Sequence, residues 1–355
     1  MATIREIAEK SGVSIATVSN IMNNKGKASP ETINRVRKVI EEMHYVPNVV
    51  AQNLKLKRST SIGVIVEDMT IFSVPDVLDG ITDYCDQLGY QVFLVNLRLF
   101  KNYNDTYYSE NFYFEKVHQE IQKLKNLQVD GIIYVCAHER QIEVFPEDLN
   151  LPAVMAYGYS GKENIPSIVV NDKNGMGQIT EYVLKAGHRK IGLITGKRDS
   201  MHAQARLIGF QETLFHYGGE MDLEMIQIGD WERKSGYTLA ERLLKQGATA
   251  IMCMNDLMAG GVYDRLEERG LIPGKDIAVT GYDDRQLATY YRPSLSTVQL
   301  PLHDIGCAAA KVLLEMLEVD SKSRIKGDFV HGQITDAIVE VPCRLEIRES
   351  ISRIV

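Results

Sequence analysis

TIREIAEKSGVSIATVSNIMN, residues 3–23, predicts two short helices joined by a glycine turn. Thr3 and Glu6 have the spacing of a capping box, in which hydroxyl and carboxylate satisfy backbone donors at a helix start. Gly12 ends this helix because glycine adopts the left-handed turn conformation without strain. Ser14 then caps a second helix, whose apolar Val18 and Ile21 lie three residues apart and face inward. Together these features form a helix-turn-helix signature.

The second helix keeps one side free of core residues. The side chains available on it to face a DNA groove are Ile15, Ala16, Thr17, Ser19 and Asn20. A small helical bundle that binds protein has the same pattern of buried residues, so the pattern alone leaves this alternative open.

Charge distinguishes these two interpretations. Residues 1–60 contain ten Lys plus Arg and five Asp plus Glu, a net charge of +5, while the whole chain carries −7 and residues 61–355 therefore carry −12. A basic head on an acidic body favours a polyanionic partner at one end of the molecule only.

A third helix and a short apolar segment complete the head. Ser29 and Pro30 start the third helix, and Pro47 stops it because the residue before proline avoids helical geometry. A fourth helix beginning at Asn48 is too short to be stable alone in water. Its Leu54–Lys55 end suits minor-groove insertion, with an ordinary interdomain linker as the alternative.

The remaining residues alternate continuous apolar runs with amphipathic segments. This alternation predicts parallel sheets covered by helices on both faces, and its length favours two subdomains. The predicted strands are SIGVIV, QVFLVN, GIIYV, AVMAY, SIVVN, KIGLIT, AIMCM and IAVTGY. The predicted helices cover residues 75–88, 175–186, 203–216, 235–246, 256–269 and 303–317.

The chain resembles the LacI/GalR family of bacterial transcription regulators. The head motifs that carry the resemblance are GVSIATVSNIMNN and YVPNVVAQNLK. In the body, the same order is kept by SIGVIVED, KAGHRKIGLITG, AQARLIGFQETL, GDWERKSGY, MNDLMAGGVYDRLEERGLIPGKDIAVTGYDD and RPSLSTVQLPLHDIG. An ordered set that covers nearly the whole chain is far more specific than any one of its members.

The resemblance implies an all-α helix-turn-helix head followed by a two-lobed α/β body with parallel sheets, similar to periplasmic binding proteins. We expect a DNA-binding domain at residues 1–47, a hinge helix and linker at 48–60, and an effector-binding and dimerisation domain at 61–355. The chain would cross between the lobes near 171–173, near 299–302 and again close to its carboxyl end.

Candidate effector groups follow the predicted strands, where ligands bind in open α/β sheets. The family positions that contact effector match Phe72, Ser73, Arg206, Trp231, Asn255 and Asp283, each of which also has an ordinary structural interpretation. Tyr157 is a further candidate, although family members often carry aspartate there, and a tyrosine would narrow the pocket or contribute its hydroxyl. His202 aligns near the pocket or in a solvated loop.

The DNA-reading residues are carried over position by position. The resemblance places Ile15, Ala16 and Asn20 where the family reads base edges, with Asn20 suited to adenine and the other two to thymine methyls. Thr3, Thr17 and Ser19 suit phosphate positioning, and Leu54, with Lys55 beside it, matches the intercalating leucine. Many members carry arginine where Asn20 stands, so a contact to guanine is expected to be missing.

These observations predict a cytoplasmic homodimeric repressor of carbohydrate-utilisation genes that binds a palindromic operator in double-stranded DNA. Its controlling effector is expected to be a small sugar, with a purine or a phosphoprotein as the alternative. A sugar receptor of transport type is a weaker alternative, because such receptors are exported and lack a basic head, whereas this chain begins without an apolar signal segment.

We expect no enzyme activity, no cofactor and no metal, because the sequence contains no P-loop, no nucleophile motif and no metal-ligand spacing. No membrane association is expected, since no apolar stretch approaches the length of a bilayer span. The five cysteines are predicted to be buried thiols. The aromatic stretch at 100–114 is interpreted as a polar surface loop rather than a cover over the ligand cleft.

Overall fold

The structure is a computed structural model that describes residues 3–22, 28–43, 45, 59–317 and 338–354. By its internal contacts the chain divides into two compact units, Met1–Thr60 and Ser61–Val355. The first unit is called the head and the second the body. No helix among the described residues is long and apolar enough to cross a membrane.

The head contains three described helices, α1 (Ile4–Ser11), α2 (Ile15–Met22) and α3 (Pro30–Glu42). At the start of α1, Thr3 Oγ1 accepts a hydrogen bond from the Glu6 backbone at 3.3 Å, and Glu6 Oε2 accepts one from the Thr3 backbone at 2.8 Å. Gly12 ends α1 in the left-handed conformation with φ 64°. The capping box and the left-handed glycine at the end of α1 are as the sequence predicted.

The core of the head is small. It is formed by Ile7 and Ala8 of α1, Val18 and Ile21 of α2, and Val36 and Val39 of α3. Because the core takes one side of α2, the other side of that helix is left to the surface.

The body is built from twelve strands and nine α-helices among its described residues. The strands are β1 (Ser61–Val66), β2 (Gln91–Asn96), β3 (Gly131–Val135), β4 (Ala153–Ala156), β5 (Ser167–Asn171), β6 (Ile191–Thr195), β7 (Ile226–Ile228), β8 (Ala250–Cys253), β9 (Ala278–Thr280), β10 (Thr297–Gln299), β11 (Ile338–Pro342) and β12 (Arg344–Glu346). The helices are α4 (Ser73–Gln87), α5 (Leu99–Tyr103), α6 (Phe114–Asn126), α7 (Asp172–Lys185), α8 (Met201–His216), α9 (Arg233–Lys245), α10 (Asp256–Glu268), α11 (Leu287–Tyr290) and α12 (Leu302–Met316).

The strands form two parallel sheets and a small antiparallel pair. One sheet has the order β11-β5-β4-β3-β1-β2 and the other the order β7-β6-β8-β9, and we call the parts built on them the first lobe and the second lobe. The chain passes between the lobes after β5, between β10 and α12, and between β11 and β12. The α/β class, the parallel sheets and the two lobes are therefore as predicted.

The structure adds elements that the sequence patterns did not indicate. Helix α6 and the short strands β7, β10, β11 and β12 were not predicted. Strands β7, β10 and β12 have three residues each and carry too little periodicity to be recognised, and all four strands pair with partners distant in the chain. The five cysteines are free and buried, as predicted.

The interpretation of residues 100–114 as a polar surface loop is right for the exposure of most residues and wrong for the structure of the segment. The segment contains most of α5 and a 3-10 helix at Asn104–Tyr108, and Tyr107 and Tyr113 are buried. Arg140 explains this burial, because its guanidinium lies 5.4 Å from the Tyr107 ring centre and donates to the Tyr113 hydroxyl at 3.0 Å. The Arg140 guanidinium thus holds Tyr107 and Tyr113 in place, although the composition of the segment had indicated a loop.

Candidate functional site

Ionisable side chains from the carboxyl ends of both sheets meet in a buried cluster between the lobes. The first lobe supplies Glu139, which follows β3, and Asp172 begins α7 directly after β5, where the chain passes to the second lobe. The second lobe supplies His202 and Arg206 from α8, and Asp283 from the loop after β9. We call these five residues the cleft cluster.

Arg206 is the centre of this cluster and is only 2 % exposed. Its Nε donates to Asp172 Oδ1 at 2.7 Å and its Nη1 to the Met254 carbonyl at 2.5 Å. The guanidinium also stacks on the Tyr282 ring, 3.7 Å from its centre, and Asp283 Oδ1 lies 3.5 Å from Nη1. The cation predicted to contact effector is therefore already held on several sides by the protein.

His202 and Glu139 join the two lobes. His202 Nδ1 lies 2.5 Å from Asp172 Oδ2 and 3.8 Å from Glu139 Oε2. Glu139 Oε1 accepts a hydrogen bond from the Val170 backbone at 2.6 Å. The Tyr157 ring packs against the His202 ring with centres 5.4 Å apart, so the predicted tyrosine lies inside the cluster.

Burial and neighbouring charges shift the pKa values of the cluster residues, and the direction of the shift differs between the residues. Although burial opposes its ionised form, the pKa of Asp172 is lowered by Arg206 and His202. Burial raises the pKa of Glu139 and of Asp283, because cationic neighbours offset their desolvation only in part. Although burial opposes its charged form, the pKa of His202 is raised by Asp172 and Glu139.

A second buried carboxylate, Asp256, supports the loop that carries Asp283. Thr297 Oγ1 donates to Asp256 Oδ1 at 2.7 Å, and the Arg285 backbone donates to Oδ2 at 2.7 Å. Desolvation raises the pKa of Asp256 well above its usual value, and the charge of Asp283 adds to the effect.

Three predicted effector residues have a left-handed backbone. The φ angles are 58° at Tyr157, 77° at Trp231 and 104° at Asp283. Non-glycine residues rarely adopt such angles, and they concentrate at functional sites where the surrounding structure holds them. The Trp231 indole additionally lies against Gly196, where any side chain would collide with the ring.

The other predicted effector residues are engaged in local contacts. The Ser73 hydroxyl donates to the Ala137 carbonyl at 2.8 Å and is fully buried. Asn255 caps α10 by accepting from the Met258 backbone and donates to the Trp231 carbonyl at 2.9 Å. The Phe72 ring lies 4.7 Å from the Arg285 guanidinium carbon. Their effector roles stay predictions.

Two open spaces in the described part of the body can be compared with the cleft cluster. A cavity of about 240 Å³ is lined by Phe72 and by the loop that carries Asp283, so it opens beside the cleft cluster. A larger depression of about 440 Å³ at the start of β4 contains none of the predicted effector residues. Asp283 is the member of the cleft cluster that lines this smaller space, and Phe72 is the other predicted effector residue there.

The aromatic segment reaches across the mouth of the cleft. Asp105 of the 3-10 helix lies 3.4 Å from Lys197 of the second lobe. Tyr108 packs against His138, which precedes Glu139, with ring centres 5.0 Å apart. The segment therefore contacts both lobes near the cleft cluster, as in the alternative that the sequence analysis did not favour.

Two groups of side chains have the spacing of metal ligands. Among the described residues they are Glu139 with Asp172 and His202, and Asp83 with His303 and Cys307. In the first group the Nδ1 proton of His202 is directed at Asp172, and Arg206 occupies the other Asp172 oxygen, so hydrogen bonds already satisfy these atoms.

The second helix of the head presents the surface that the sequence predicted. Ile15, Ala16 and Asn20 are exposed, with Ile15 at 41 %, while Val18 and Ile21 are buried. Thr17 donates from its backbone to Ser14 Oγ at 3.1 Å, and Thr3 is engaged in the capping box. Ser19 is half-buried on the same helix. Leu54, Lys55 and the predicted hinge helix lie outside the described residues.

Comparison with known proteins gives two family matches and full-length relatives. Residues 3–48 match the bacterial regulatory proteins of the lacI family, and residues 180–351 match a periplasmic binding protein-like domain. The HTH-type transcriptional repressor PurR of Vibrio atlanticus is 31 % identical over 92 % of this chain and 95 % of its own length.

The chain belongs to the LacI family. PurR of Pasteurella multocida is 29 % identical over 99 % of both chains. Among solved structures, the Lac repressor dimer bound to operator and the anti-inducer ONPF is 27 % identical, with a TM-score of 0.72 and 99 % of both chains covered. This LacI-family protein is therefore a DNA-binding transcription repressor and not an enzyme.

Sequence reasoning left out two central members of the cleft cluster, Glu139 and Asp172. Both follow buried strands of the first lobe, so the rule that ligand groups lie at strand ends would have included them. Their pairing with Arg206 and His202 could not be read from the sequence, because the partners are at least 30 residues away.

Proposed function

We propose that this LacI-family repressor binds a palindromic operator as a homodimer in the cytoplasm and is controlled by a small molecule in the cleft. The observation that carries the DNA part is the division of α2 into a buried side and an exposed side. Val18 and Ile21 hold the helix to the core, while Ile15, Ala16 and Asn20 are free to meet base edges.

The dimer is supported by the edge of the first sheet. Strand β2 lies at that edge, and its Phe93 and Leu94 are 37 % and 45 % exposed. An exposed apolar edge strand is a liability unless it is covered, and a second copy of the chain would cover it. The Lac repressor structure is likewise a dimer on its operator.

We propose a purine as the effector, rather than the sugar expected from the sequence. The relatives at 28–31 % identity are repressors named PurR, and this favours a purine. The cleft offers aromatic rings at Tyr157 and Trp231 and acceptor carboxylates at Glu139 and Asp283, which suit a flat ring with N–H donors.

The mechanism couples the cleft to the head through the lobes. An effector that contacts both lobes favours one relative orientation of them, since a ligand stabilises the state that it binds better. In the dimer this orientation would change the spacing of the two heads. Effector and operator must then alter each other's affinity by the same factor.

The proposal is tested by measuring operator affinity with and without candidate effectors. Operator fragments are first selected from genomic DNA with the full-length protein. Binding is then followed by fluorescence anisotropy alone, with hypoxanthine or adenine, and with glucose or galactose. We expect a purine to change operator affinity at least fivefold while the sugars leave it unchanged. A change caused only by a sugar would contradict the purine assignment.

The DNA-reading face is tested by Asn20→Ala. The variant should lose preference for one base position per half-site, because each bidentate contact contributes about 1–3 kcal/mol of discrimination. Glu31→Ala on the exposed start of α3 serves as a control without a predicted base contact. Unchanged base preference in the Asn20 variant would remove this assignment.

A further inference from the structure

The cleft cluster contains more negative than positive groups. Glu139, Asp172 and Asp283 face Arg206 and His202, and all five side chains are buried. Burial makes an uncompensated charge costly, so the excess carboxylate has to be protonated or find a partner. This imbalance limits which ligands the cleft accepts.

The two cations are occupied mainly by one carboxylate. Asp172 accepts from Arg206 Nε at 2.7 Å through Oδ1 and from His202 Nδ1 at 2.5 Å through Oδ2. Arg206 Nη1 donates instead to the Met254 carbonyl. Asp172 therefore takes hydrogen bonds from both cations, whereas Glu139 is left with a longer ion pair to His202.

Glu139 retains an oxygen without a hydrogen bond inside the described part of the chain. Its Oε1 accepts from the Val170 backbone, whereas Oε2 lies 3.8 Å from His202 Nδ1, beyond hydrogen-bond distance. Close by, His202 Nε2 is buried and has no hydrogen-bond partner among the described residues. An unsatisfied buried polar atom such as His202 Nε2 requires an explanation, and a bound ligand supplies one.

We propose that Glu139 and His202 determine effector specificity, with Glu139 Oε2 accepting a hydrogen bond from an effector N–H or O–H and His202 Nε2 contacting an adjacent polar atom. The cleft consequently binds neutral or cationic effectors that carry donors, and it rejects phosphorylated or carboxylated ones. This inference rests on the proposed function, in so far as that function places a small effector in the cleft.

The charge argument separates a free base or free sugar from its phosphate ester. A phosphate would add about two negative charges beside Glu139 and Asp283, and the Nε donor of Arg206 and one of its Nη1 donors are already engaged by Asp172 and Met254. A neutral ring with a donor adds no charge and satisfies Glu139. Burial raises the pKa of Glu139, which agrees with a carboxyl that lacks a donor while the cleft is empty.

The test compares wild type, Glu139→Gln and Glu163→Gln by titration calorimetry with matched ligand pairs. The pairs are hypoxanthine with inosine monophosphate, and glucose with glucose 6-phosphate. Glu139→Gln keeps an oxygen for the Val170 backbone and removes the charge. Glu163 is exposed in the same lobe, so its variant controls for a general loss of negative charge.

We expect the wild type and the Glu163 variant to bind the neutral member of a pair at least tenfold more tightly than the phosphate. The Glu139 variant should bind the neutral member about 10- to 100-fold more weakly, because a hydrogen bond to a charged group is lost. It should also discriminate less against the phosphate. His202→Asn, a second variant, should weaken the neutral ligand without relaxing the discrimination as far.

The outcomes distinguish the two proposals. Glu139-dependent binding of glucose but not hypoxanthine would leave this inference standing and overturn the purine assignment. Tight hypoxanthine binding that is unchanged in the Glu139 variant would overturn this inference and keep the purine. Tighter binding of a phosphate ester, or no binding of any of the four compounds, would overturn the inference, as would stabilisation by Zn²⁺ that is lost in Glu139→Gln.

Discussion

The head and the body place their functional side chains in opposite environments. In the head, Ile15, Ala16 and Asn20 are exposed and take no part in the core. In the body, the side chains of Glu139, Arg206 and Asp283 are buried and engaged in hydrogen bonds or ion pairs with other parts of the protein. In the head, the residues predicted to contact DNA are therefore different from those that stabilise the fold. In the body, residues predicted to contact effector also stabilise the fold.

This difference has an energetic consequence. Surface substitutions away from caps and strained positions usually change stability by less than about 0.5 kcal/mol, whereas breaking a buried ion pair costs about 3–5 kcal/mol. The head can change its DNA preference at little structural cost. The cleft can change its ligand only if the internal charge balance is also rebuilt.

The largest effect is expected from Arg206→Ala. The substitution leaves Asp172 buried without its main cation and removes the stacking on Tyr282, so the body should lose about 3–5 kcal/mol of unfolding free energy. Chemical denaturation of the full-length protein measures this loss.

Arg233→Ala is the matched control. Arg233 pairs with Asp264 at 2.6 Å, but both side chains are more than 40 % exposed, so the loss should not exceed about 1 kcal/mol. Equal losses of unfolding free energy in the two arginine variants would contradict the expectation that the buried cluster contributes more stability than the exposed pair.

The next effect is the pH dependence of the body. Because the pKa of Glu139 is raised in the folded state, the folded chain holds a proton that the unfolded chain releases above its ordinary value of 4.5. Stability from this group must then fall as the pH rises from about 5 toward 7, by up to about 1.4 kcal/mol for each pH unit.

Glu139→Gln should remove that slope, so its stability relative to the wild type rises over the same pH interval. The raised pKa of His202 acts in the same direction, since its contribution is lost as the pH passes the folded value. Denaturant titrations at pH 5, 6 and 7 measure the difference. A parallel pH profile for wild type and variant would show that Glu139 titrates normally.

The smallest effect is expected in the head, from Thr3→Ala. The change removes the hydroxyl that accepts from the Glu6 backbone, and loss of such a cap costs about 1 kcal/mol. Thr3→Ser keeps the hydroxyl and should restore the wild-type stability. Thermal unfolding of the full-length protein, with the body transition as an internal reference, tests this. A destabilisation of the body by either variant would contradict the independence of the two units.

The predicted helices and strands agree with the structure where neighbouring residues in the sequence determine them. The strands around Ile62, Ile133 and Ile251 are continuous apolar runs and lie in the sheets as expected. The prediction for the aromatic stretch at 100–114 did not anticipate the burial of Tyr107, because Tyr107 packs against Arg140, a residue more than 30 positions later in the chain.

The site followed the same rule. Arg206, Asp283 and Tyr157 follow or face strand ends and lie in the cluster, although their contacts with an effector stay predictions. Asn255 and Ser73 also follow strands, but their polar groups are engaged within the protein. No sequence pattern distinguishes a side chain that faces a cleft from one that caps the next helix.

The sequence by itself determined the helix-turn-helix head, its positive charge and the alternation of strands and helices in the body, because capping, net charge and hydrophobic periodicity are properties of neighbouring residues. Only the tertiary structure decided that Glu139 accepts its hydrogen bond from the Val170 backbone while Asp172 accepts from two side chains, those of His202 and Arg206. Charge compensation in a buried cleft depends on distances between residues from different strands and helices, and those distances exist only after both lobes have folded.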